Sequence, residues 1–244
     1  MKIAAISDIH SNYPALMAVL EQIEKDDVDL TVCAGDLVGY GPYPNEVVEE
    51  IKKRAIPTVQ GNYDEGVGFN KDDCGCAYKT PEEVEAGEKS LIWTKSQVTD
   101  ENKFYLRSLP NHILWERDRK KVLLVHGSPR RLNEYLYEER PENTLIRMLK
   151  PLDIDVMIFG HTHLPYHRVV NGIHLVNVGS VGKPKDRDPR ASYAVVDTGE
   201  PFRVEFRRVK YPVELVANMM EEKGLPKWLA EYLRHAGKTP EHRE

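Results

Sequence analysis

Five times in its first 163 residues the chain follows a short apolar run with a side chain able to hold a metal ion, and this recurrence constrains the fold more than any other feature. Asp8 and His10 follow Lys2 to Ser7, Asp36 follows Val28 to Ala34, and Asn62 follows Ile56 to Gln60. His126 ends the run that starts at Lys121, and His161 and His163 follow Ile154 to Phe159. Helical patterns lie between the early runs. Asn12 can cap a helix with Pro14 in its first turn and with Leu16, Val19, Leu20 and Ile23 on one face. Asn45 can cap a second, buried through Val47, Val48 and Ile51 and closed by Lys52, Lys53 and Arg54, whose charges suit the helix dipole. Strand and helix in alternation predict an α/β architecture with a largely parallel sheet at its heart. In such a sheet the carboxyl ends of the strands converge on one crevice, where ligands bind. All seven side chains sit at those ends.

Taken singly, each has a structural explanation. Asp8 or Asp36 can cap a helix or tie down a turn, Asn62 can occupy a left-handed turn after Gly61, and His126 can be a satisfied core histidine. His161 and His163 are harder to dismiss, because alternation around Thr162 puts both on one face of an extended chain. Seven independent structural accounts at the same end of five successive strands are improbable. Carboxylates, an amide oxygen and imidazoles without thiolates suit borderline-to-hard divalent ions, and a carboxylate alone on its loop, such as Asp36, can bridge two of them.

The rest of the chain frames this set. From Gly66 to about Pro110 the rhythm gives way to a Gly- and Asp-rich loop and helical sequence, an insertion packed over one end of the sheet. Another helical stretch lies near Pro141 to Lys150. Tyr166 to Val170, Ile173 to Val178, Ala191 to Val196 and Phe202 to Val209 read as antiparallel strands, with Asn171-Gly172 as the clearest hairpin turn. A helical segment from about 212 to 236 closes the chain, and the absence of a repeat or linker favours one domain over 1–244. No run approaches the roughly 20 apolar residues that span a bilayer. A formal charge of -5 gives no general electrostatic attraction to nucleic acid or anionic membranes. Three cysteines do not make a disulfide framework, so a cytoplasmic protein is expected. Cys33 reads as a small core residue, and Cys74 and Cys76 as a flexible loop rather than half of a metal site.

In order, Asp8-Ile9-His10, Gly35-Asp36, Gly61-Asn62-Tyr63-Asp64, His126-Gly127 and Gly160-His161-Thr162-His163 resemble the D-x-H, G-D, G-N-H-[DE], single His and G-H-x-H motifs of the calcineurin-like metallophosphoesterases, over residues 1 to about 200. The chain is most similar to the compact prokaryotic branch described as phosphodiesterases. The resemblance implies a four-layer αββα fold, a two-sheet β-sandwich of mixed strands flanked by helices. It implies one metal held by Asp8, His10, Asp36 and His163 and a second by Asp36, Asn62, His126 and His161, with Asp36 as the bridge. It also implies attack on phosphorus by a hydroxide between the ions, with manganese favoured and Ni2+, Fe2+, Co2+, Zn2+ or Mg2+ as alternatives.

One position departs from the family pattern. Tyr63 stands where most members have a histidine that stabilises the transition state or protonates the leaving oxygen. A phenol is a poorer acid at neutral pH than imidazole, which predicts a bias toward esters whose leaving group needs little protonation, such as aryl phosphodiesters or cyclic nucleotides. Asp64 is expected to orient Tyr63 or a water, so Asp36, Asn62, Tyr63 and Asp64 are the candidate catalytic residues. Arg130 and Lys183 are candidate phosphate ligands, together with Arg131, Lys185 and Arg187, against the alternative of surface ion pairs with Asp186 and Asp188. Tyr40, and Tyr43 beside it, can stack on a base or aryl group or cover the sheet edge. His112, His167, His174, His235 and His242 have no motif position, and His167 is the one suited to a substitute proton donor. The expected substrate is a small phosphate ester or nucleotide, with nucleic acid and membrane disfavoured. The alternatives are a monoesterase or protein phosphatase of the same superfamily, or a non-catalytic interaction scaffold.

Overall fold

Alternating side chains decide where the strands go. In β1 (Lys2–Ile6) Ile3 and Ala5 face one way and Ala4 and Ile6 the other; all four are buried, so the strand must be covered on both faces. The computed structural model, which describes residues 1–117 and 119–237 and so leaves His242 outside, supplies that cover with a second sheet and with helices. β1 pairs in parallel with β2 (Leu30–Cys33) and antiparallel with β8 (Ala191–Asp197), which in turn pairs with β9 (Arg203–Val209). The second sheet runs β3 (His112–Arg117), β4 (Lys120–Val125), β5 (Val156–Phe159), β7 (Ile173–Asn177), β6 (Tyr166–Val170), parallel in its middle and antiparallel at both edges.

Three apolar clusters hold these layers. Between the sheets, Ile3, Ala5 and Val32 meet Val122, Leu124, Val156 and Ile158. Outside the first sheet, Ala4, Ile6 and Cys33 pack against α1 (Tyr13–Ile23), α2 (Pro44–Lys53), α7 (Val213–Glu222) and α8 (Lys227–Arg234). Outside the second, Leu123, Val125, Met157 and Phe159 pack on Leu145, Met148 and Leu149 of α6 (Glu142–Leu149). The result is the expected sandwich of two mixed sheets flanked by helices.

Several local expectations are corrected. The sheet at the heart is two mixed sheets rather than one largely parallel one. Residues 56 to 60 make only a single parallel bridge, Thr58 to Cys33, since Pro57 has no N–H to extend a ladder. β3 was not expected; its solvent side carries Leu114 and Glu116, which blurs the apolar alternation of an edge strand. Asn45 is not a cap, because the helix starts one residue earlier at Pro44. Its amide instead donates to Gln97 O (2.9 Å) and accepts from Thr99 N (3.1 Å) and Asn102 Nδ2 (3.0 Å). It thereby ties α2 to the insertion, which consists of α4 (Pro81–Gln97) and α5 (Asp100–Ser108) behind α3 (Asn62–Gly68).

Candidate metal centre

Six of the seven ligand-capable side chains, all but His161, spend one polar atom on the main chain and leave the other facing their neighbours. Asp8 Oδ2 accepts the His161 N–H (2.9 Å), so Oδ1 is left 3.1 Å from His163 Nε2. Asp36 Oδ1 accepts the Tyr63 N–H (2.8 Å), so Oδ2 is left between His126 Nε2 (3.4 Å) and His10 Nε2 (3.6 Å). His10 and His126 turn Nδ1 to the carbonyls of Val38 (3.1 Å) and Ala34 (2.7 Å), and His163 Nδ1 does the same with Lys183 O. A main-chain partner on Nδ1 fixes ring orientation and presents Nε2 to an ion. Asn62 Oδ1 lies 3.0 Å from His126 Nε2. All seven side chains named from the sequence therefore meet at one place, deeply buried: six form two adjoining groups, Asp8, His10 and His163, and Asp36, His126 and His161, and Asn62 joins the second through His126.

The backbone is bent to bring them there. Asp8, His10, Asp36, His161 and His163 all have positive φ, between 48° and 67°, a region side-chain-bearing residues adopt at a cost. Gly35 precedes Asp36 at φ +89°, and a Cβ there would stand 2.6 Å from Gly61 N. At Gly61 a Cβ would meet Asp36 Oδ1 at 2.1 Å, so only glycine lets the two loops touch.

Burial and charge tune the set for cations. Burial alone would raise the carboxyls of Asp8 and Asp36; the imidazoles facing them, His163 and His126 respectively, outweigh it and hold both below the usual range. Burial lowers His161 to about 3 and His163 well below its ordinary value, whereas at His126 the facing Asp36 carboxylate outweighs burial and raises the imidazole to about 10. His161 Nε2 is buried with no hydrogen-bond partner among the described residues. Such an orphan is costly in a finished structure unless something outside the chain occupies it. Two buried Asp/His groups sharing a border fit a dinuclear divalent metal centre, and an oxygen and nitrogen donor set fits borderline ions.

The other expected residues are placed differently. Asp64 is turned to main-chain N–H groups rather than to the Tyr63 hydroxyl. Its carboxylate accepts N–H groups from Asp36 and Leu37 (both 2.8 Å), Gly61 (3.0 Å) and, more loosely, Val38 (3.4 Å), clamping the Asp36 loop to the start of α3. Tyr63 is fully buried, its hydroxyl 2.9 Å from that of Tyr78, and burial raises its phenol well above the ordinary range. Tyr40 lies edge-on to His10 at 4.8 Å, and its hydroxyl is 3.2 Å from Tyr78's. Arg130 is engaged by Glu134 in an ion pair, at the edge of a polar groove of about 750 Å³ that reaches Asn62. Lys183 is buried between the rings of Tyr40 and Tyr232, with Nζ 4.2 Å from each centroid. His167 is no proton donor to the centre; it sits 2.9 Å from His174 on the second sheet. Cys74 and Cys76 lie in an irregular segment between α3 and α4, as expected of a loop, and are partly buried there. Their sulfurs are 2.7 Å apart, and Asn62 Nδ2 donates to Cys74 O (2.9 Å) and approaches Cys76 Sγ (3.3 Å). Sequence reasoning missed Tyr78, Tyr135 and Tyr137, which the insertion and the segment after β4 bring beside the centre; no spacing signal marks them.

A two-sheet sandwich with adjoining Asp/His groups at its strand ends defines a dinuclear metallohydrolase scaffold. The chain belongs to the calcineurin-like phosphoesterase superfamily, whose domain model matches residues 1–200. An uncharacterised protein of Methanocaldococcus jannaschii is 34% identical, the match covering 95% of this chain and 96% of the relative. Phosphodiesterase YfcE of Escherichia coli (strain K12) is 28% identical, over 81% of this chain and 88% of its own. Among solved structures, a metallophosphoesterase from Sphaerobacter thermophilus is similar with a TM-score of 0.78 and 34% identity, covering 98% of this chain and 99% of that one. A hypothetical protein from Pyrococcus horikoshii OT3 gives a TM-score of 0.85 at 25% identity, with coverage of 98% and 99%. The chain is a phosphoesterase by family.

Proposed function

We propose that the protein hydrolyses phosphodiesters of small molecules with two divalent ions, Mn2+ foremost. Asp8, His10, Asp36 and His163 hold the first, and Asp36, Asn62, His126 and His161 the second. The observation that carries this reading is Asp36 Oδ2, which stands between the imidazoles of the two groups at 3.4 and 3.6 Å, where a bridging ligand belongs. Bound there, two divalent ions supply an activated water at neutral pH and offset charge on the phosphate. The chain's own residues do the rest. Asp64 fixes the Asp36 loop through main-chain N–H groups, and so sets the bridge. Lys183 and Lys185, which have no ion pair among the described residues, are better placed than the Glu134-bound Arg130 to receive a phosphate oxygen. Tyr63 keeps its proton at neutral pH and shares a hydrogen bond with the hydroxyl of Tyr78, and it is a weak acid toward a departing alkoxide. Esters with good leaving groups are therefore favoured, and the relation to YfcE supports the diester. The free thiols of Cys33, Cys74 and Cys76 support a reducing, cytoplasmic setting.

The test is hydrolysis of paired aryl phosphodiester and monoester substrates by chelator-stripped protein, with single metals added back. Metal-dependent turnover that prefers the diester is expected, and Tyr63→His should raise activity on esters with poorer leaving groups more than on aryl ones. No turnover with any metal, or a clear monoester preference, overturns the reading.

A further inference from the structure

A second cleft, of about 310 Å³, opens beside His161 and His163, where Thr162 and Leu164 form part of its wall. Its aromatic wall residues come from four separate parts of the chain. Tyr135 packs on His161 with ring centroids 4.0 Å apart, and Tyr137 stacks on Tyr135 at 5.8 Å and 15°. Opposite, Trp228 and Tyr232 of α8 stack at 4.9 Å and 28°. Tyr40 closes the inner end, against His10 of the metal centre.

Three lysines and one acid line this space, Lys79, Lys183, Lys185 and Glu83, and two of the lysines are the more buried. Lys183 is 8% exposed, and Lys185 is half-buried; neither has a hydrogen bond or ion pair through Nζ among the described residues. Aromatic faces on both sides of Lys183 compensate part of its lost hydration, and Glu83, the one acidic side chain lining the cleft, forms no ion pair with either lysine among the described residues. An anionic ligand with a planar ring satisfies both halves of the cleft at once. The volume, at the small end of ligand pockets, suits a single ring system and its phosphate rather than a protein segment or a duplex.

We infer that this cleft is a nucleotide subsite: the base stacks between Tyr137 and the Trp228–Tyr232 pair, and Lys183 and Lys185 take phosphate oxygens next to the metal centre. Resting on the phosphodiesterase reading, this makes the substrate a nucleotide ester. It assigns recognition to α8, which lies beyond the residues matched by the family model.

The probes are AMP, ribose phosphate and inorganic phosphate, each used as an inhibitor of metal-dependent aryl diester hydrolysis by the full chain. AMP should inhibit about tenfold more tightly than ribose phosphate, the scale of one base stacked on aromatic side chains. Tyr137→Ala should remove most of that preference and Tyr137→Phe restore it; Tyr137 is 40% exposed, so neither change threatens the fold. Equal inhibition by AMP and ribose phosphate, with hydrolysis intact, overturns the nucleotide subsite and leaves the phosphodiesterase reading standing. Should hydrolysis fail with every metal, AMP binding followed by Trp228 fluorescence and equilibrium dialysis still decides the cleft. Quenching that ribose phosphate does not reproduce supports it, and no AMP binding overturns it.

Discussion

Two neighbouring carboxylates, Asp36 and Asp64, have opposite jobs, and the difference is set by what each oxygen faces. Asp36 gives one oxygen to Tyr63 N–H and points the other at imidazoles; both Asp64 oxygens go to main-chain N–H groups. Asp36→Asn keeps an acceptor for Tyr63 N–H, so the variant should fold while losing turnover and metal retention; activity near wild type would remove the bridge. Asp64→Ala leaves buried N–H groups of Asp36, Leu37 and Gly61 unmatched, at about 1–3 kcal/mol each. Its urea midpoint should therefore fall by the equivalent of about 3 kcal/mol or more, and an unshifted midpoint would refute the clamp. At this scale the ligands were legible, because residue type and place after a strand both point to the same use. The role of Asp64 was not. Adjacency in sequence suggested Tyr63 as its partner, whereas the first turn of α3 swings its carboxylate back to a loop 28 residues earlier. Nor does sequence show that Arg130 is neutralised by Glu134, since the turn that joins them is irregular.

Elements were legible where burial is one-sided or complete, and illegible at edges. β1, β4 and β5 are buried on both faces and read as short apolar runs, and α1 shows its stripe plainly. β3 was missed because an edge strand needs only half of its side chains apolar. Residues 56 to 60 misled because an apolar run with proline looks like a strand but pairs at only one point. The antiparallel edge formed by β6 and β7 carries a testable pair. His167 and His174 sit at 2.9 Å with stacked rings, and Phe202 lies 3.8 Å from His174. Burial lowers both pKa values, with His167 adding to the effect on His174. The sign follows: the unfolded chain binds protons at about pH 6.5 and the folded pair resists them. Their contribution to stability is thus full above about pH 6.5 and declines as pH falls through that value. Urea midpoints measured from pH 7 to 5 should fall less steeply in His174→Gln than in the wild type, and identical slopes would exclude the pair as an acid-sensitive point.

For the whole molecule, the centre sits where the two sheets meet at their strand ends. Asp8, His10 and Asp36 come from loops of the first sheet, while His126, His161 and His163 come from the second. In the chain itself the sheets are joined there by direct bonds such as His161 N–H to Asp8 Oδ2 and His126 Nδ1 to Ala34 O. Ions held by ligands from both sides therefore act as clasps between sheets and bind the native state alone, because the unfolded chain scatters the ligands. Mass action then gives about 2.7 kcal/mol for one site at a hundredfold excess over its Kd. For a chain of this size that corresponds to a rise in Tm of about 5–10 °C per site. Calorimetry of chelator-stripped protein titrated with Mn2+ should show the rise. Asp36→Asn, lacking the shared ligand, should lose nearly all of it, whereas His161→Ala should keep the part that belongs to the Asp8, His10 and His163 group. Partial retention in one variant and near-complete loss in the other separates a bridged pair of sites from two independent ones. A wild-type Tm that does not move with Mn2+ or any other divalent ion would mean that these seven residues do not form a metal centre.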